Sequence, residues 1–207
     1  MSDPLLHLIG SGLRLWIASR CDRAGDLDLS LRGSSLALLQ GRLEGVDLTA
    51  RQVCFQGLPL QQAEISTHGP LRLDLSLLQP GRMLALADAF QVKGAVTLQG
   101  SELNGALSSE RWRDLADWMA EQLLGVTPLG SLRIDNTVLE LRAQVAAQAD
   151  SICRRFRLEA EAGTVQFCPL DEDAPPTALP MDPAIRITAV RLAAGLITLT
   201  GVADVSP

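Results

Sequence analysis

The sequence predicts an α+β protein: a highly curved antiparallel β-sheet wrapped around one central helix, with an amphipathic helix at the N-terminus. Three observations carry this. Apolar and polar residues alternate strictly through many short segments, as in Leu27, Leu29 and Leu31 or Leu139, Leu141 and Ala143, so each strand has one wet face and one apolar face, the mark of antiparallel sheet. Only one long stretch in the interior has helical spacing, residues 109–124. No strand–helix–strand rhythm recurs, which excludes a doubly wound parallel fold. With sheet segments on both sides of the helix, one long curled sheet follows.

The chain divides into residues 1–25, the terminal helix, and residues 26–207, a single curled-sheet domain. In the first part Leu5, Leu6, Ile9, Leu13, Trp16 and Ile17 fall on one side of a helical wheel, with His7, Gly10, Ser11, Arg14 and Ala18 opposite. Arg14 interrupts it, and it is shorter than the roughly 20 apolar residues that span a bilayer. Its apolar side, Leu5, Ile9, Leu13 and Trp16, can lie on a membrane surface with arginines near the phosphates, or pack on the sheet as an ordinary terminal helix.

Strands follow. Leu27–Leu31 alternates, residues 46–50 and 53–55 read as one strand with a bend, and Gly57-Leu58-Pro59 reads as a turn. Leu71, Leu73, Leu75 and Leu77 alternate before Gln79-Pro80-Gly81-Arg82, and residues 82–89 suit a short helix or loop. Val92, Val96 and Leu98 carry a strand that Gly100 breaks. Ser101 and Ser108 can each cap a helix start. The central helix then places Trp112, Leu115, Ala116, Met119 and Leu123 at spacings of three and four, and Gly125 and Pro128 end it. Phe156, Leu158 and Ala160 form a strand, and Val165 and Phe167 continue it beyond Gly163. Five prolines and four carboxylates in residues 169–183 predict an exposed loop. Ile185, Ile187 and Ala189 open a last hairpin, turned near Gly195 and closed by Ile197 and Leu199.

The pattern V-x-G-x-V-x-L-x-G-x-x-L-N, here Val92, Gly94, Val96, Leu98, Gly100, Leu103 and Asn104, resembles the strand-then-helix signature of the LmeA family of bacterial phospholipid-binding proteins. Residues 43–65 are similar to that family's N-terminal strands, and the resemblance covers roughly residues 26–145. It implies a curled sheet of the tubular lipid-binding type and a phospholipid partner. It implies no catalytic residue and no cofactor.

Composition narrows the function classes. The 207 residues are 47% hydrophobic and 20% charged, enough for a packed core. A net charge of −6 with no basic stripe excludes a general nucleic-acid surface. Aromatic residues are 3% with no tyrosine, so leucine fills strand positions that aromatics usually take; composition bias explains this, as does a pliable leucine-lined cavity. Cys21, Cys54, Cys153 and Cys168 lack metal spacing, so no metal site is expected. Met1-Ser2-Asp3-Pro4 is not the basic start of an export signal, so a cytoplasmic chain with peripheral membrane attachment is expected.

Catalysis has little to stand on, and no catalytic residue is expected. His7 and His68 accompany no nucleophile motif, and no phosphate loop exists. Asp171, Glu172 and Asp173 lack the spacing of a calcium loop. Arg154, Arg155 and Arg157 could hold a lipid phosphate, though a plain solvated strand edge accounts for them better. Trp112, Leu115, Met119 and Leu123 read first as core, and Trp118 lies off their face, so the helix is apolar on two sides. These five residues are the candidate lipid-binding set. The reading is a non-enzymatic lipid-binding protein working at an intracellular membrane surface; a scaffold with a filled core and no ligand is the alternative.

Overall fold

In the computed structural model, residues 4–74, 85–86, 88–144, 151–171 and 173–206 are described. The chain is α+β and mostly antiparallel sheet, and among the described residues the strands form no closed barrel. It opens with α1 (Pro4–Arg20), β1 (Asp26–Arg32), the one-turn helix α2 (Ser35–Leu39) and β2 (Arg42–Leu43). The Ser34 hydroxyl caps α2 by accepting from the Ala37 N–H at 3.2 Å. Two long strands follow, β3 (Gly45–Phe55) and β4 (Leu58–His68), then the short β5 (Leu71–Asp74) and β6 (Ala85–Leu86), and β7 (Phe90–Gln99). The bend expected in β3 sits at Gln52, whose φ is 53°. Leu75, Leu77, Val145, Glu172 and much of residues 82–89 lie outside the described residues; Ala85–Leu86 pairs with Leu73 and Asp74 as a strand, not a helix.

The expected central helix, residues 109–124, is helical from Glu110 onward but not uniformly α. After a separate helix, α3 (Gly100–Leu107), a 3₁₀ turn (Glu110–Trp112) leads into α4 (Arg113–Met119) and a π-helical turn (Ala120–Leu124). The serines do not cap it. Ser108 Oγ donates back to the Asn104 carbonyl at 3.1 Å and Ser109 Oγ to the Ala106 carbonyl at 2.6 Å. Both hydroxyls answer the free carbonyls at the end of α3, so Ser108 closes one helix where it was expected to open another. Gly125 ends the segment at φ 75°, as its position predicted.

After it come β8 (Ser131–Asp135), β9 (Val138–Gln144), β10 (Ser151–Glu161), β11 (Thr164–Pro169), β12 (Thr177–Ala178), β13 (Ile185–Ala193) and β14 (Leu196–Val205). Three of the tight hairpins turn on X-Gly pairs with both φ positive, Gln56-Gly57, Ala162-Gly163 and Ala194-Gly195. That is the turn whose twist matches paired strands.

The strands form three sheets where one was expected. The first has the order β1-β3-β4-β7-β14-β13, the second is the meander β12-β11-β10-β9-β8, and the third is the small β2-β5-β6. The first two meet where the Ile187 N–H of β13 donates to the Gly163 carbonyl at 2.8 Å. Their apolar faces and the helical segment share one core that includes Leu98, Met119, Leu141, Phe156, Phe167 and Ile197. Two other expectations change. A register shift between Ile187 and Ala189 reverses the phase of β13, so Leu192 is buried and Ala189 exposed. The proline-rich stretch is not all loop: Thr177–Ala178, between prolines, pairs on the edge of β11, and Leu179 and Met181 pack on the core.

One line across the first sheet collects features that bend sheets. Ile65 of β4 faces Gly94 of β7, Gly94 faces Gly201 of β14, and the β13 shift begins opposite Gly201. A Cβ on Gly94 would press into the Glu64 carbonyl, and one on Gly201 into the Arg186 carbonyl. Glycine kinks and bulges in register are what give a sheet its curvature. Gly94→Val is therefore expected to destabilise by about 1–3 kcal/mol, because backbone must move to admit the side chain. An unchanged urea midpoint would show that this close approach does not set the bend.

Candidate functional site

Between the two large sheets and the helical segment lies a cavity of about 160 Å³. Every side chain around it is apolar or, in Trp112, aromatic with its one polar atom engaged elsewhere. Trp112, Leu115 and Met119 supply the helical wall. Leu98 and Leu199 come from β7 and β14, and Leu158 and Phe167 from β10 and β11. The strict alternation of those strands is why they arrive together: each presents every second residue inward.

Hydrogen bonds between the elements fix the cavity wall. Trp112 Nε1 donates to the Gln56 carbonyl at 3.0 Å, in the β3–β4 turn, and Leu58 just beyond that turn lines the cavity. The same turn is held from the other side, where the Gly57 N–H donates to Asp22 Oδ2 at 2.7 Å. Asn104 Oδ1 accepts from the Leu132 N–H at 2.7 Å and straps α3 to the start of β8. Gly100 lets α3 lie on Ile134, another lining residue, because a Cβ there would stand 3.1 Å from its side chain. The glycines and the asparagine of the strand-then-helix signature thus build the cavity's frame.

Of the five candidate lipid-binding residues, Trp112, Leu115 and Met119 line the cavity, and Trp118 and Leu123 do not. Leu123 is buried in the core behind it. Trp118 is half-buried with its ring centroid 6.4 Å from that of Phe167, so the helix's second apolar side is met by β11. Of the four candidate membrane residues on α1, the Leu5 side chain lies outside the described ones. Ile9 packs on the cluster of Leu38, Leu43 and Leu71, and Leu13 is half-buried. Trp16 is exposed, with the Arg20 guanidinium 5.1 Å from its ring. Sequence reasoning did not single out Leu58, Leu98 or Leu158 as lining residues; only the inward phase of their strands marks them.

The ionisable groups are engaged away from the cavity. Asp171 forks onto Arg155, with Nε 3.1 Å from Oδ1, and that bond holds the Asp171 carboxyl below its usual range. Arg157 pairs with Glu159 at 2.7 Å, and Arg154 donates to the Leu123 carbonyl at 3.1 Å. The three arginines therefore each have a partner within the chain. Burial pushes the Cys21 and Cys168 thiols up, with Asp22 and Glu159 adding to it, which keeps them protonated and poor as nucleophiles. His68 is exposed at the end of β4. Among the described residues no cluster of three or more His, Cys, Asp or Glu side chains could hold a metal ion, and no helix is long and apolar enough to cross a membrane.

The LmeA-like phospholipid-binding family matches residues 2–202, well beyond the stretch whose motifs carried the resemblance. No curated protein and no solved structure matches the chain. With nearly its whole length matched, this chain belongs to the LmeA-like phospholipid-binding family.

Proposed function

We propose that the protein binds phospholipid without catalysing a reaction on it, taking hydrocarbon into the cavity between the helical segment and the two sheets, and that it works at a membrane surface. The observation that carries this is the cavity's wholly apolar lining in a family of phospholipid binders. Such a space gives a polar substrate nothing to bind, whereas a methylene gains about 0.8 kcal/mol on entering it. Trp112, Leu115 and Met119 would touch the chain; Trp118 and Leu123 would hold their helix in place.

Volume sets a condition on this reading. A cavity of about 150 Å³ takes a benzene-sized group, so 160 Å³ admits the end of an acyl chain and not two whole tails. Fuller occupancy needs the helical segment to lift. Its 3₁₀ and π turns interrupt the regular ladder at Glu110–Trp112 and Ala120–Leu124, which are natural places for it to flex. The bent first sheet would then wrap the widened space as the wall of a tube.

Native mass spectrometry of the purified chain tests this. Adducts of phospholipid mass are expected, released on denaturation. A chain that carries no lipid, and gains none when incubated with phospholipid vesicles, would favour the scaffold with a filled core.

A further inference from the structure

The apolar face of α1, which could lie on a membrane or pack on the sheet, is largely spent on the protein itself. Ile9 and Leu6 pack on Leu38, Leu43 and Leu71, and Ile17 and Ala18 pack near Leu27, Ala50 and Val53. Gly10 sits against Leu29 and Leu31 of β1. The outward side of the same helix is not a charged face. Leu15 is 72% exposed and Trp16 37%. Next to α1 stands α2, where Leu38 is buried and its neighbours Leu36 and Leu39 are 68% and 67% exposed. These are four of the seven large apolar side chains that stand exposed among the described residues, and they occupy two touching helices.

We infer that the outward face of α1 and α2, with Leu15, Trp16, Leu36 and Leu39 inserted, is the protein's docking surface for an anionic lipid bilayer. Charge complementarity selects this occupant. The chain is acidic, with 24 Asp and Glu residues and a net charge of −6, yet neither helix contains a single acidic residue. Arg14 and Arg20 flank the exposed pair on α1, and Arg42 follows α2 after one short turn. On an acidic molecule, two adjoining helices that carry no carboxylate and have arginines at their edges form a surface that anionic headgroups are not repelled by. Trp16 suits the boundary: its ring is amphipathic, and Arg20 over its face brings a cation to phosphate level.

The surface also connects to the cavity. The Asp22 N–H, just past α1, donates to the Cys54 carbonyl at 2.8 Å, and Asp22 holds the β3–β4 turn that in turn receives Trp112. Docking would therefore sit one relay of hydrogen bonds from Trp112 in the cavity wall. This inference rests on the lipid-binding reading for its purpose but not for its test.

The test is co-flotation of the full chain with vesicles of phosphatidylcholine alone and of phosphatidylcholine with phosphatidylglycerol. The wild type should float with the mixed vesicles and lose that binding as salt rises. The variant Leu15→Ser, Trp16→Ser, Leu36→Ser, Leu39→Ser should lose at least about tenfold in partitioning with an unchanged melt, since all four side chains face water. Arg14→Gln with Arg20→Gln should abolish the preference for the mixed vesicles. Ile9→Ser with Leu13→Ser should instead lower the melting temperature. The inference is overturned if the fourfold variant floats as the wild type does, or if the wild type ignores anionic vesicles. It is overturned too if the wild type is a dimer that the four substitutions dissolve, which would assign the patch to a second copy. Native mass spectrometry on the same preparations separates the two ideas: co-purified lipid without flotation retains the cavity and rejects this surface, and flotation without co-purified lipid does the reverse.

Discussion

Truncating Phe156 to alanine is expected to destabilise the protein by about 3–5 kcal/mol, the largest loss of any single substitution considered. Phe156 is 1% exposed in the middle of the second sheet. Its ring meets Phe167 edge-on, with centroids 6.1 Å apart, and it pairs across the strands with Leu139. The neighbours are themselves fixed in strands, so they cannot collapse into the space, and the cost includes a cavity as well as lost transfer energy. For a chain of this length each kcal/mol lowers the melting temperature by roughly 2–4 °C. Urea denaturation with an unchanged m-value would measure it. A loss below about 1 kcal/mol would mean that the core between the sheets is far looser than its burial indicates.

Met119→Trp is expected to act on ligand rather than on fold. Met119 is 5% exposed and lines the cavity. A tryptophan there projects its larger ring into the 160 Å³ space. If it displaces about two methylenes of an acyl chain, at about 0.8 kcal/mol each, lipid affinity falls by roughly tenfold. Stability should change little, because the ring fills space that no protein atom occupies. A packed core would respond differently, losing about 1–3 kcal/mol to overpacking. Thermal melting and bound-lipid mass spectrometry on one sample distinguish the outcomes. A strongly destabilised variant of a parent that carries no lipid would remove the cavity from the mechanism.

Much of the helical wall of the cavity was legible in the sequence. The spacing of Trp112, Leu115 and Met119 brings them to one face of the chain after Gly100, and all three reach the cavity. The sheet wall was legible only as phase: Leu98, Leu158 and Phe167 are inward positions of alternating strands, and alternation does not say which inward residues border a void. Trp118 could not be placed from spacing, because a helix covered on two sides is apolar on two sides; here β11 covers the second with Phe167. Helix α1 shows the same limit. Its sequence is apolar on the side of Ile9 and again at Leu15, and periodicity alone ranks the two faces without saying which one meets the sheet.

By itself the sequence determined most of the strands and their inward faces, with β6, β12 and the second half of β13 among the exceptions, and the end of the helical segment at Gly125, because each depends on residues within a few positions of one another. Tertiary structure alone decided the rest. The strands divided into three sheets because pairing depends on partners far away in sequence, as when β14 closes on β7 through Gly201 and Gly94. The helical segment was tied to the β3–β4 turn where Trp112 reached the Gln56 carbonyl, a bond between residues far apart in sequence that a local pattern does not contain. The outer face of α1 was left to solvent because β1 and the Leu38 cluster had already taken the other.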